Sequence, residues 1–356
     1  MTKGHDWLIL SIGCLVYDLI TLNLLMKRST IMKHGLSMEM VDTHNQQPNR
    51  NRRESKYYWD EIYTLVSAGG FTEVETPYDP QWAFGGRTGV PLVYANVIDK
   101  DGSADNYLKR LHGYGIDRLV GVHYMPGMFF SGASPESNGA VSLEGYFGAL
   151  DFFGRGAVDY VAAIGGSYIT MSATPKLGEV EQAYANDPET GVKAVLEGTA
   201  AAVEKLAAYA NSKGVRFCLK NEFYGLLRGD RILDFVKGLR EKVYLDIDTA
   251  EYKIAGYCPL CVIRDNPELI GVVHYSDTSF VDDQECYRQM NPEFPSVRAS
   301  KVYRDLGDGS INFPKVEQVL KDIGYTGHVI INCRDSYDIC RSILRARYYI
   351  KSRLSE

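Results

Sequence analysis

The chain has 356 residues, of which 45% are hydrophobic and 24% charged, and its net charge is −6. This is an ordinary globular composition, long enough for one large α/β domain or two smaller ones. The negative balance, with no Lys/Arg stripe interleaved with aromatics, argues against a nucleic-acid partner.

Residues 8–26 are mostly apolar, with Lys3 before them and Lys27 and Arg28 after. Their length would just span a bilayer, but Asp18 and Asn23 inside the run are costly in hydrocarbon. No small-residue cleavage motif follows. Met32 stands directly before the first strand-like run. Residues 1–31 are therefore expected to be an N-terminal extension, helical and outside the fold, and residues 32–356 a single domain with no membrane association.

From there the pattern alternates strand and helix. Predicted strands cover 34–41, 72–77, 119–124, 168–172, 217–223, 243–248, 271–275 and 328–332. Predicted helices, with apolar spacing near 3.6, cover 59–67, 105–112, 191–212, 231–240, 313–323 and 337–352. Eight such units predict an α/β fold of the (β/α)8 TIM-barrel type. An open doubly wound sheet is the alternative, disfavoured because no GxGxxG follows the first strand. The long loops 42–55, 76–96, 126–142 and 276–308 all follow strands. They belong at the C-terminal face of the barrel, where active sites are built. Seven cysteines without regular spacing point to reduced thiols and a cytoplasmic location. Cys258 and Cys261 form a lone CxxC that nothing completes into a zinc site. The 25 tyrosines could line a sugar pocket or simply pack half-buried surfaces.

Three late strand ends carry the chemistry: LKNEF at 219–223, YLDIDT at 244–249 and VVHYSDT at 272–278. Each ends on a residue able to bind a metal, respectively Glu222, Asp248 and His274. Residues two apart in a strand share a face, so Cys218, Lys220 and Glu222 point together, as do Tyr244, Asp246 and Asp248. Charges on an inward face are costly unless paired or bound to an ion. Two readings follow: a divalent metal site at the mouth, or an ion-pair net of these acids with Lys220 and Arg298.

The stretches KNEFYGLLRG, LDIDTAEYKIAGYCP, VVHYSDT and DLGDGSINFPKVEQVLKDIGYTGHVIIN resemble the sugar phosphate isomerase/epimerase superfamily of xylose isomerase-like barrels. The resemblance is good over residues 215–352 and looser before. It implies one divalent ion, Mn2+ or Mg2+, held by Glu222, Asp248, His274 and, at the fourth position, Asn332. The family usually has Glu there, and an Asn cannot serve as a base. Glu251 likewise departs from the family's usual His.

The implied chemistry is proton abstraction beside a sugar carbonyl, with the resulting enediolate held by the metal. His123, Glu222 and Lys220 are the candidate catalytic residues, His123 ending the third strand and replacing the missing Glu as base. Arg298, Glu251 and Asp246 are candidates for binding substrate, a small sugar or glycoside. The long loops and the missing second Glu also fit one branch of the superfamily, the α subunit of C-glycoside deglycosidases. Such a lyase would cleave the carbon–carbon bond of 3-oxo-C-glycosides by elimination and would need a small β subunit. An oligomer is expected. A metal-free sugar-binding barrel is the remaining alternative. A nuclease of the same fold would need more His than the seven present.

Overall fold

Eight parallel strands close on themselves in chain order: β1 (His34–Ser37), β2 (Glu73–Tyr78), β3 (Arg118–Tyr124), β4 (Tyr168–Met171), β5 (Arg216–Lys220), β6 (Tyr244–Asp248), β7 (Ile270–Ser276) and β8 (His328–Asn332). β8 pairs back onto β1, with Ile330 opposite Gly35. The computed structural model describes residues 32–41, 56–83, 89–130, 142–293, 302–334, 336 and 338–354. The expected extension 1–31 and Arg298 both lie outside them.

Every strand is buried on both faces, as a parallel sheet covered by helices requires. The outward residues, such as Leu36, Val74, Phe217, Leu245, Val273 and Val329, join the main core against the helical layer. The inward residues form tiers. Val120, Tyr168, Cys218, Val272 and Ile330 make an apolar floor at the N-terminal end. Above it the interior is polar, which is what the alternation in β6 and β7 requires: Tyr244, Asp246, Asp248 and Val272, His274, Ser276 climb from floor to mouth.

Six predicted helices are present, with ends shifted by a few residues. Two more stand out. Helix Pro188–Ser212 starts at Asp187, whose carboxylate accepts the Thr190 N–H at 3.2 Å. It packs on helix Leu143–Ala163, which the apolar spacing does not predict because glycines interrupt it. Gly154 of that helix lies so close to Leu206 that no Cβ would fit, so the glycine permits the packing.

The predicted fifth strand 217–223 ends early, at Lys220. Asn221 and Glu222 leave the sheet in a turn closed by the Gly225 N–H onto the Glu222 carbonyl at 3.1 Å. The first strand is also shorter than predicted. After Ser37 the chain winds into a single 3-10 turn, Met38–Met40, in which the Ser37 hydroxyl accepts the Glu39 N–H at 3.3 Å.

The long loop after β7 is clasped at its base. Asp277 accepts N–H groups from Thr278, Gly307, Gly309 and Ile311 at 2.9–3.3 Å. Gly307 is there at φ 89°, and a Cβ on Gly309 would collide with the Asp277 carboxylate. This is the structural meaning of the glycines in LGDGS.

Candidate active site

The upper polar tier is assembled from seven strand ends or the turns just past them. Glu39 comes from the 3-10 turn after β1, His123 from β3, and Ser172 follows β4. Lys220 ends β5 and Glu222 follows it. Asp248, Ser276 and Asn332 end β6, β7 and β8, and Arg334 lies two residues beyond β8. All are buried except Glu39 and Arg334, which keep partial exposure.

A continuous hydrogen-bonded run crosses this tier. Glu39 Oε1 meets His123 Nδ1, His123 Nε2 meets Ser172 Oγ at 2.8 Å, and Ser172 Oγ donates to Glu222 Oε1 at 2.6 Å. Because the serine proton is committed to Glu222, His123 Nε2 carries the hydrogen it gives to the serine. Glu39 and Glu222 are therefore linked through His123 and Ser172. Burial raises the Glu39 carboxyl, but His123, Lys220 and Arg334 outweigh it and hold it well below the usual range. Glu222 behaves alike: burial raises it, and Arg334, Lys220 and His123 bring it below its ordinary value.

Two cations stand among these acids. Lys220 Nζ lies 3.3 Å from Asp248 Oδ2 and 3.5 Å from Glu39 Oε2. Burial alone would lower its value, but Glu39 and then Asp248 raise it well above that of an ordinary lysine. Its Nζ makes no hydrogen bond of good geometry among the described residues, nor does Asn332 Oδ1. Arg334 reaches Glu222 Oε2 at 2.6 Å and Glu251 Oε1 at 3.2 Å, and sits beside Tyr224 and Tyr303. Glu251 also accepts the Phe223 N–H at 2.7 Å and the Tyr303 hydroxyl at 2.6 Å. Burial and the Glu222 charge push it well above the usual carboxylate range. Two neighbouring acids are thus driven apart, Glu222 downward and Glu251 upward.

The middle tier is separate. His274 Nδ1 lies 2.6 Å from Asp246 Oδ1 and its Nε2 2.9 Å from Glu75 Oε1. Thr170 donates to Asp246 at 2.6 Å, and Tyr168 and Ser37 donate to Glu75 at 2.7 and 3.3 Å. Burial would pull the imidazole down, but Asp246 and then Glu75 push it up to about 10. It is an imidazolium with both nitrogens donating.

Of the predicted residues, His123, Lys220, Glu222, Asp248 and Asn332 are brought together at the mouth. His274 and Asp246 are not. They lie one tier down, where Asp246 serves the histidine. Glu251 lies behind Arg334 as its anchor. The four expected metal ligands do not converge: among the described residues no group of three or more His, Cys, Asp or Glu is arranged to hold an ion. Their donor atoms are engaged elsewhere. Glu222 is held by Ser172 and Arg334. Asp248 is held by Lys220, by Ser276 Oγ at 2.9 Å and by the N–H groups of Ala250 and Glu251. The imidazolium has no lone pair, and Asn332 points its amide N–H at Glu39 at 2.6 Å. A divalent ion about 4 Å from one of these cations would be repelled by about 8 kcal/mol at an effective dielectric constant of about 20. The residues present do not fit a resident divalent ion.

Glu39, Ser172, Arg334 and Glu75 are not evident from the sequence alone. Arg334 stands two residues past the end of β8, where period-two reading stops, Glu39 stands in a 3-10 turn that the predicted strand 34–41 runs through, and Ser172 carries no charge to draw attention. For Glu39, Ser172 and Arg334 the usable signal is position, since each follows a strand at the mouth; Glu75 lies inside β2.

Comparison with known proteins matches residues 70–349 to the xylose isomerase-like TIM barrels. The chain belongs to that family. Within the xylose isomerase-like barrels, it is 24% identical to an inosose dehydratase of Clostridium perfringens over 205 residues, 55% of this chain and 68% of the relative. Among solved structures it resembles a xylose isomerase-like barrel protein from Mycobacterium smegmatis in complex with magnesium, with TM-score 0.61 and 12% identity over 90% of this chain and 96% of the other. It also resembles a D-allulose 3-epimerase from Methylomonas sp., with TM-score 0.60 and 17% identity over 91% and 98%. At these identities the structural likenesses establish the fold. No helix among the described residues is long and apolar enough to cross a membrane.

Proposed function

We propose that this xylose isomerase-like barrel is an enzyme that moves a carbon-bound proton beside the carbonyl of a sugar or a related polyhydroxy ketone. The observation that carries this is the run Glu39–His123–Ser172–Glu222 set against Lys220 and Arg334. Bases and cations share one largely buried site, which is what enediolate chemistry needs. The family's dehydratase and epimerase relatives support the same first step.

Glu222, ionised and at one end of the run, takes the proton from the carbon next to the carbonyl. The C–H pair moves into the carbon–carbon bond and the carbonyl π pair onto oxygen, giving the enediolate. His123, linked through Ser172, balances the charge on Glu222 and exchanges its proton with Glu39. Return of the proton at the other carbon gives an isomer, and return from the opposite face gives an epimer. Departure of a β-hydroxyl, with the proton supplied from the run, gives dehydration. Loss of a carbon-bound aglycone in place of the hydroxyl would be the carbon–carbon lyase version, the one that requires a partner subunit.

The test is incubation of the full chain with ketohexoses, inososes and 3-oxo-glucosides in D2O, with NMR detection of deuterium at carbon. Deuterium incorporation, lost in Glu222→Gln, is the expected result, and the product identifies the branch. Absence of exchange with all three classes would overturn the reading.

A further inference from the structure

Resting on the proton-transfer reading, we infer that Lys220, seconded by Arg334, does in this chain the charge work for which a divalent ion would otherwise be held, so that the enzyme works without a metal.

The argument begins with place. Lys220 ends β5 on its inward side, and its Nζ lies between Asp248 on β6 and Glu39 after β1. The carboxylates able to gather round an ion at the centre of the mouth are thereby gathered round an ammonium. Asn332 closes the same space from β8, holding Glu39 by its amide N–H. The second charged group, Arg334, occupies the flank toward Glu222 and Glu251.

Chemistry comes next. An ammonium carries three donors and no acceptor. Nζ is in ion-pair range of two carboxylates yet makes no well-directed hydrogen bond among the described residues. A fully buried lysine with unspent donors is set to receive an oxygen, and the enediolate oxygen is the anion this reaction creates. Arg334 offers a planar fork rather than a point charge. It lies beside the hydroxyls of Tyr224 and Tyr303, a setting suited to a neighbouring substrate hydroxyl or the second enediolate oxygen. Together they stabilise charge where it develops, without coordination geometry.

Finally, His274 has both ring nitrogens turned to Asp246 and Glu75 below the mouth. It offers no lone pair upward, so the imidazole of the expected ligand set is committed to holding the barrel together.

The experiment uses the full chain treated with EDTA and titrated with Mn2+, free ion being followed by electron paramagnetic resonance. No binding at micromolar ion is expected; one Mn2+ per chain held in that range overturns the inference. Lys220→Glu places a carboxylate beside Asp248 and Glu39 in exchange for the ammonium and is expected to bind Mn2+ about 100-fold more tightly than the parent. Lys220→Gln, which removes the charge and adds an amide oxygen, carries the same comparison should Lys220→Glu not fold. A folded variant that binds no better than the parent shows that the ammonium does not stand in an ion's place. Deuterium exchange on the EDTA-treated parent supports the inference, and exchange that appears only on adding Mn2+ overturns it. The ion titration is read without turnover. If no exchange occurs under either condition, the proton-transfer reading fails while the titration still decides whether Lys220 excludes an ion.

Discussion

The two polar tiers of the barrel interior are built from the same residue types and differ in how completely those residues are satisfied. In the middle tier Glu75, His274 and Asp246 meet in short, closed pairs, and Thr170, Tyr168 and Ser37 fill the remaining lone pairs. In the upper tier Lys220 Nζ and Asn332 Oδ1 are left without hydrogen bonds among the described residues, and Glu39 meets His123 in a single hydrogen bond. A closed network fixes shape, whereas an open one is ready to bind. Burial and charge alone do not distinguish them; satisfaction does.

The contrast is testable, beginning with the largest expected effect. His123→Gln should break the upper run and reduce deuterium exchange by about 10²–10⁴-fold, while the urea midpoint moves little. A large drop in stability with exchange retained would reverse the assignment of the two tiers. Asp246→Asn should do the opposite. It removes one partner of a buried ion pair and should cost about 3–5 kcal/mol in urea unfolding, with exchange in the remaining folded protein changed only a few-fold.

The pH dependence sharpens the same point. A histidine whose folded value, about 10 here, lies above its unfolded value of about 6.5 gives stability that is full below about pH 6.5 and lost as pH rises toward 10. Urea unfolding between these limits should show stability falling with pH, less steeply in Asp246→Asn; equal slopes would mean that the middle tier does not titrate. The smallest effect belongs to Tyr303→Phe, which deletes the hydroxyl donated to Glu251. It should cost about 0.5–1.5 kcal/mol and weaken substrate binding through Arg334, read as a rise in KM with kcat nearly kept.

Much of the barrel was legible because its code is simple. β8 was predicted at its observed bounds, since HVIIN is a short apolar run between a glycine and a polar turn. Helix Leu143–Ala163 was not, because Gly145, Gly148, Gly154 and Gly156 weaken its intrinsic propensity. Only the position of Leu206 explains Gly154, and that is a tertiary fact. The site was half legible. Period two placed Lys220 and Asp248 on one inward face, but it carried Glu222 along a strand that had already ended. The same rule could not say that His274 would turn to acids below the mouth, because its partner Glu75 lies 199 positions away. An ion-pair net with Lys220 was one of the two readings the strand ends allowed. The sequence could not choose it, because Arg334 lies past the end of β8 and Glu39 lies in a 3-10 turn where a strand was expected.

The Asp277 clasp has a consequence for how such a chain can diversify. Arg304 pairs with Asp277 across an antiparallel bridge, and the Ser310 N–H returns to the Thr278 carbonyl at 2.9 Å. The two ends of the loop after β7 are therefore held together at their base, residues 277 and 278 against residues 304–311. Closing a loop between fixed ends depends only logarithmically on its length, so doubling the insert adds about 0.6 kcal/mol. New walls can be grafted between these ends while the strand ends that hold Lys220 and Asp248 stay in register, provided that Tyr303 keeps its hold on Glu251.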